Sequence, residues 1–197
     1  MDLIKLEDKI IQSFTPMWEL NDLAHRVEHF SEVYQTGLEM SARLSVNPNK
    51  KLLLFSSYFH DMFAWSRENH HLLSEEFMRG TCHELISDHL TTIERNIVAG
   101  ACRKHRASNK EPFTNFFEEF FNAADRERPI SAEVTLQRAI AFRKSRNPEM
   151  SEETVIANSI KHVKEKYGTN GYASYPDCYK IAFSDELKKL QQEIAEL

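Results

Sequence analysis

Apolar residues recur along this chain at helical intervals, while the strict alternation expected of strands is scarce. The pattern predicts helices near residues 2–14, 21–44, 49–64, 71–85, 88–105, 112–125, 130–144, 151–167 and 174–195. The second is expected to start after Asn21 as N-cap, with Leu23, Val27, Phe30, Tyr34 and Leu38 as its apolar positions. Pro48, Pro112, Pro129 and Pro176 stand near helix starts, where a missing N–H costs least. Ser131 and Ser151 are each followed by acids, as helix N-termini prefer. From Leu52 the chain reads LLLFSSYFHDMFAW, apolar around its whole circumference, which marks a buried helix. The segment RKSRNPEMSEE (143–153) reads as a solvated turn, and no fixed-period repeat is visible. The expectation is an all-α chain forming a single compact helical domain over 1–197.

Composition narrows the function classes. At 197 residues and 41% hydrophobic content, the chain can bury a core of its own. A net charge of −5 with no basic stripe argues against nucleic acid as a partner. The opening MDLIKLEDKIIQSF is amphipathic and mixed in charge, so it reads as neither signal peptide nor anchor. No apolar run approaches the roughly 20 residues of a membrane span, so no membrane partner is expected. Cys82, Cys102 and Cys178 are odd in number and lack CxxC spacing, which indicates neither a disulfide framework nor a cysteine zinc site. These features predict a cytoplasmic protein.

The apolar run raises a chemical question, because His60 and Asp61 stand side by side inside it. Burying a carboxylate is costly unless it is paired or bound to a metal. Three other places offer ligand chemistry. AHRVEHF (24–30) sets His25 and His29 four apart, where a helix would bring them onto one face. ENHHLLSEEF (68–77) carries Glu68, His70 and His71. The last place comprises His105 in CRKHRAS and Asp125 in FFNAADRERP. Each alone has a plain reading: a helix-face histidine, a loop histidine, or a local pair of Arg126 with Asp125 or Glu127. Together, two carboxylates and several histidines in one helical domain can neutralise each other by sharing a divalent cation.

The order His29, His60-Asp61, Asp125 on successive helices resembles the HD-domain superfamily of metal-dependent phosphohydrolases. EHFSEVYQTGLEMS (28–41) is similar to its opening helix, YFHDMF to its signature doublet, and AADRERP to its closing aspartate. HHLLSEEF and VAGACRKHRAS resemble segments of the bacterial nucleotide pyrophosphohydrolase branch. The likeness spans roughly 22–128, the expected metal-binding core, leaving 129–197 as a helical extension. EKYGTNGYASYP (165–176), within that extension, suggests no role. Two departures stand out. Met62 and Phe63 follow the doublet, and Ala64 stands where the related 5′-deoxynucleotidase branch has glutamate, with Glu68 the nearest replacement.

The resemblance implies that His29, His60, Asp61 and Asp125 bind one divalent ion, each from within a helix. Two imidazoles and two carboxylates suit Mn, Fe, Co, Ni or Zn better than Mg or Ca. Such an ion would polarise a phosphoryl oxygen and activate a water for attack on phosphorus. The expected catalytic residues are Asp61 with Glu68 or His70 as the acid/base. Lys104, His105 and Arg126, at helix ends, are expected to meet the substrate's negative charge. His70 and His105 could instead join Asp61 around a second metal. The implied substrate is a nucleotide or a similar small phosphate compound. Two alternatives stand beside it: a di-iron oxygenase of the same superfamily, and an inactive nucleotide-binding sensor. Relatives of this kind often form homo-oligomers.

Overall fold

The computed structural model describes residues 2–22, 24–81, 83–126, 128–173 and 175–197, so Leu23, Cys82 and Glu127, named above, lie outside the described residues. It bears out the all-α expectation, with eleven helices and no strand among the described residues. No helix among these residues is long and apolar enough to cross a membrane. The chain divides into two compact units, Met1–Glu127 with Pro176–Ala182, and Arg128–Tyr175 with Phe183–Leu197.

The first unit begins with α1 (Leu3–Trp18), capped by the Asp2 carboxylate, which accepts from the Ile4 and Lys5 amides. Its buried stripe is Leu6, Ile10, Phe14 and Trp18, each four residues from the last. The helix was expected to end at 14, before Pro16. It continues because Pro16 sits in the last turn and Trp18 completes the stripe; burial of that indole outweighs one missing amide bond. α2 (Val27–Arg43) starts six residues later than predicted, and its N-cap is Arg26. Asn21 is therefore no cap; it is a buried side chain with long-range partners.

α3 (Lys50–Phe59), capped by Asn49, is buried along the whole of Leu52–Phe59, as its apolar circumference requires. Phe59 packs edge-on against Phe14 and stacks with Phe55 and Phe77, making α3 the centre of the aromatic core. α2 crosses it closely at Gly37, where an added Cβ would come within 2.8 Å of Leu53 Cδ2. The predicted helix ran to 64, but the chain tightens after Phe59. Met62 donates to Phe59, Ala64 to Asp61 and Ser66 to Phe63, a succession of four-residue turns.

α4 (His70–Gly80) and the short, unpredicted α5 (Glu84–Ser87) follow. α6 (Thr92–Lys104) opens on a reciprocal capping box between Thr91 and Glu94. α7 (Phe116–Ala124) is capped by Asn115. α6 packs against α3, α4 and α7. Gly100 admits the Glu118 carboxylate, 2.6 Å from where a Cβ would stand, and this carboxylate meets the Lys104 ammonium at 2.8 Å. Burial alone would push the Glu118 carboxyl up, but Lys104 and the two donors of Thr114 outweigh it and hold it below the ordinary range. α10 (Asp177–Ala182) completes this unit against α2 and α7, with the Ala182 carbonyl accepting from Arg43.

The second unit comprises α8 (Ala132–Arg146), α9 (Glu152–Tyr167) and α11 (Ser184–Glu196). Its core is Ala132, Val163, Leu190 and Ile194. Ser131 and Ser151 cap α8 and α9 by accepting the Val134 and Thr154 amides. The segment 165–176 begins with the end of α9: Tyr172 and Ala173 donate back to the Glu165 and Lys166 carbonyls. The predicted helix 174–195 is two helices, because Phe183 leaves helical geometry at φ −125°, ψ 32°.

Removing one partner of the buried Lys104–Glu118 pair leaves an uncompensated charge. Glu118→Ala should cost about 3–5 kcal/mol in urea unfolding, and Lys104→Met combined with Glu118→Gln should recover most of that loss.

Candidate metal centre

Chains leaving and entering helices, all within the first unit, bring the centre together. His60 follows α3 and Asp61 comes next; His105 follows α6, Asp125 follows α7, His70 opens α4, and His29 lies in the first turn of α2. The expectation that the ligands sit in helix interiors is thus corrected. Helix ends have a physical advantage, because their last carbonyls lack amide partners along the chain. The imidazoles use such free carbonyls. His60 Nδ1 donates to the Ser57 carbonyl at 2.8 Å and His105 Nδ1 to that of Cys102 at 2.6 Å. His70 Nδ1 likewise donates to Arg67 in the preceding turn, at 3.0 Å.

These bonds fix the tautomer. With Nδ1 donating, a neutral ring presents its lone pair at Nε2. Those Nε2 atoms converge on the buried Asp61 carboxylate from two sides. Oδ2 lies 3.4 Å from His60 Nε2 and 3.8 Å from His29 Nε2. Oδ1 lies 3.2 Å from both His70 Nε2 and His105 Nε2. Asp125 Oδ1 stands 3.2 Å from His60 and 3.6 Å from His29, on the first side. The two histidine pairs are themselves in contact, His29 with His60 at 3.2 Å and His70 with His105 at 3.3 Å.

Acceptors so close repel one another unless a cation lies among them. Asp61 Oδ1 is buried and has no hydrogen-bond partner among the described residues. A proton can satisfy one pair of these atoms; a divalent cation can satisfy several at once. The groups His29, His60 and Asp61, and likewise Asp61, His70 and His105, have ligand atoms close enough to hold a metal ion, as do His60, His105 and Asp125.

The charges respond to this crowding. Burial would lower the His60 pKa, but Asp61 and Asp125 outweigh it and raise it to about 10. Burial would raise Asp125, yet His60 above all brings it down to about 2. Burial also opposes ionisation of Asp61, but His60 and His105 hold its carboxyl well below the usual range. His70 moves the other way, lowered to about 4 by burial despite the pull of Asp61.

The remaining predicted residues take different places. His25 precedes α2, so it shares no helix face with His29, because the helix begins only at Val27. It still approaches the centre, with Nε2 3.7 Å from Asp61 Oδ2 and Nδ1 2.6 Å from Asp22 Oδ1. Glu68 is exposed, and its carbonyl accepts from Arg106 at 3.3 Å. His71 neighbours His70 outside the ligand groups. The Lys104 ammonium is committed to Glu118. Arg126 donates to Asn122 Oδ1 at 2.7 Å and to the His105 carbonyl at 3.3 Å, and lies 3.6 Å from Asp125 Oδ2.

Two asparagines that sequence reasoning missed hold the centre's backbone. Asn122 Nδ2 reaches the Lys104, His105 and Arg106 carbonyls, joining the end of α6 to α7. Asn21 Nδ2 reaches the carbonyls of His25 and Asp61. An asparagine near a helix boundary looks like a cap in sequence, and no local signal separates a cap from a long-range clamp. Comparison of the chain with protein-family models, curated proteins and solved structures finds no match in any of the three.

The shifted groups make stability depend on pH in a defined way. His60, raised from 6.5 to about 10, contributes stability that is complete below pH 6.5 and lost as pH rises through about 10. Asp125 contributes above about 3.8 and loses its contribution as pH falls through about 2. Chelated protein should therefore show a falling Tm between pH 7 and 9.5. Ni²⁺ should flatten the fall, because the metal replaces the His60 proton. Parallel Tm profiles with and without Ni²⁺ would contradict this account.

Proposed function

We propose that this protein is an HD-type metal-dependent phosphohydrolase acting on a nucleotide or a similar small phosphate compound. The observation that carries the reading is the division of the Asp61 carboxylate between two sets of imidazoles, aligned with the His29, His60-Asp61, Asp125 order. His29, His60, Asp61 Oδ2 and Asp125 would hold one cation, and Asp61 Oδ1, His70 and His105 a second. Mn, Fe, Co, Ni and Zn all suit such donors. Divalent ions there supply Lewis acidity towards a phosphoryl oxygen and acidify water.

The chain's own groups do the rest. Asp61, by serving both sets, fixes their separation. The carbonyl-bound Nδ1 atoms of His60, His70 and His105 keep their lone pairs aimed inwards. His70 and His105 act in this reading as ligands, so the acid/base role falls to the remaining groups near the centre, His25 among them. Of the three cations expected to meet phosphate, Lys104 is engaged by Glu118 and His105 is a ligand. Arg126, which also holds Asn122 and the His105 carbonyl, is retained for that role because it stands beside Asp125. The same two-part cluster also supports a second reading, a di-iron oxygenase of a small substrate.

Loading with Mn²⁺ should give two ions per chain. Asp61→Ala should abolish tight binding, whereas His70→Ala should remove one ion and keep the other. A screen of nucleoside mono-, di- and triphosphates should release phosphate or pyrophosphate under anaerobic conditions. Strict need for iron and dioxygen with no phosphate released would favour the oxygenase. Nucleotide binding without turnover, under every metal tried, would leave a sensor.

Arg126→Ala should keep its metal and lose about 10–1,000-fold in kcat/KM, about 1.4–4 kcal/mol, more for a triphosphate than a monophosphate. Wild-type efficiency on every nucleotide would remove Arg126 from the site.

A further inference from the structure

We infer that Asn21 is a positioning residue of the metal centre, fixing the turn that presents Asp61 and so the sharing of its carboxylate between the two sets of imidazoles. The inference rests on the metal reading of the centre and not on the reaction.

Asn21 is almost fully buried, 3% exposed, and its amide N–H donates to the Trp18 carbonyl at the end of α1. That bond ties it to the indole that ends the α1 stripe and packs against Phe30 and Tyr58. From this anchor the side chain makes three contacts with other backbone. Nδ2 donates to the Asp61 carbonyl at 3.0 Å and to the His25 carbonyl at 3.2 Å. Oδ1 accepts the Trp65 amide at 3.0 Å. Only one amide orientation satisfies two carbonyls and one N–H.

The consequence lies in what this side chain spans. Asp61 and Trp65 bracket the turn that follows α3, and Asn21 holds both ends of it. Within the turn, Ala64 N–H donates to the Asp61 carbonyl, so Asn21 and Ala64 share that acceptor. At the other end of Asp61, Oδ1 meets His70 and His105 Nε2 at 3.2 Å but no backbone donor among the described residues. The imidazoles bear on its oxygens, while Asn21 helps to hold the backbone from which it projects. The same Nδ2 steadies His25, whose Nε2 approaches Oδ2. A groups-only view of the ligands would miss this, because Asn21 touches none of their side chains.

Asn21→Asp tests the inference with almost no change of shape. It keeps the acceptor for Trp65 and turns the donor into an oxygen facing two carbonyl oxygens. Asn21→Ala removes the contacts without adding charge. Full-length wild type and both variants would be titrated with Co²⁺, reading bound cobalt and its visible d–d absorption, with Tm measured in chelator. The expected result is cooperative unfolding of the chelated variants, Co²⁺ affinity weakened about 10–100-fold and a changed d–d spectrum, as when groups that orient metal ligands are removed. Wild-type affinity and spectrum in both variants would overturn the role of Asn21 while leaving the metal centre intact. Loss of cooperative unfolding in both would make Asn21 a residue of the fold and equally overturn it. Failure of the wild type to bind Co²⁺ would instead overturn the metal reading beneath it.

Discussion

The buried carboxylate of Asp61 and the imidazoles around it form the constraint to which much of the first unit answers. An isolated carboxylate in such surroundings would shed its charge or destabilise the fold. Here it stays ionised because His60 and His105 lie against it, and the rings in turn are aimed by carbonyls at the ends of their own helices. Five helices must therefore begin or end within reach of one residue. Gly37 lets α2 close on α3, and Gly100 gives the Glu118 carboxylate room between α6 and α7. The Lys104–Glu118 pair and the Asn122 amide then fix the terminus from which His105 projects.

This arrangement leaves the cluster with ligand atoms close enough that they could hold a metal ion. Every ring nitrogen that could donate along Nδ1 at His60, His70 and His105 already does so to backbone. What remains towards the centre is the Nε2 atoms, of which that of His60 keeps a proton up to about pH 10, and two carboxylates. Phosphate hydrolysis and oxygen chemistry both exploit such sites, and the difference between them is set by the ion and its substrate.

Much of this was legible in the sequence, and the failures have identifiable causes. The apolar circumference of Leu52–Phe59 announced a buried helix, and Ser131 and Ser151 announced the starts of α8 and α9. His60 and Asp61 drew attention because charge inside an apolar run needs a reason. Periodicity, however, cannot say where a helix stops when the next residues are equally apolar; MFAW continued the pattern while the backbone had already turned. Asn21 misled for a related reason, since its partners Asp61 and Trp65 are distant in sequence and it resembles a cap in composition. Lys104 looked free for a ligand because Glu118, which holds it, lies on the next helix. Local patterns report local energetics, whereas ends of helices and buried polar side chains are set by contacts across the fold.

The ordering of the chain carries one more implication. Every residue that lines the centre has been made by Asp125, yet α10, which packs on α2 and α7, arrives only after α8 and α9. A ribosome therefore releases the ligands well before the helix that covers their scaffold. Until then the Glu119 carbonyl of α7 lacks the Cys178 thiol, and the Arg43 guanidinium lacks the Ala182 carbonyl. Closure of the first unit therefore waits until α8 and α9 have been made.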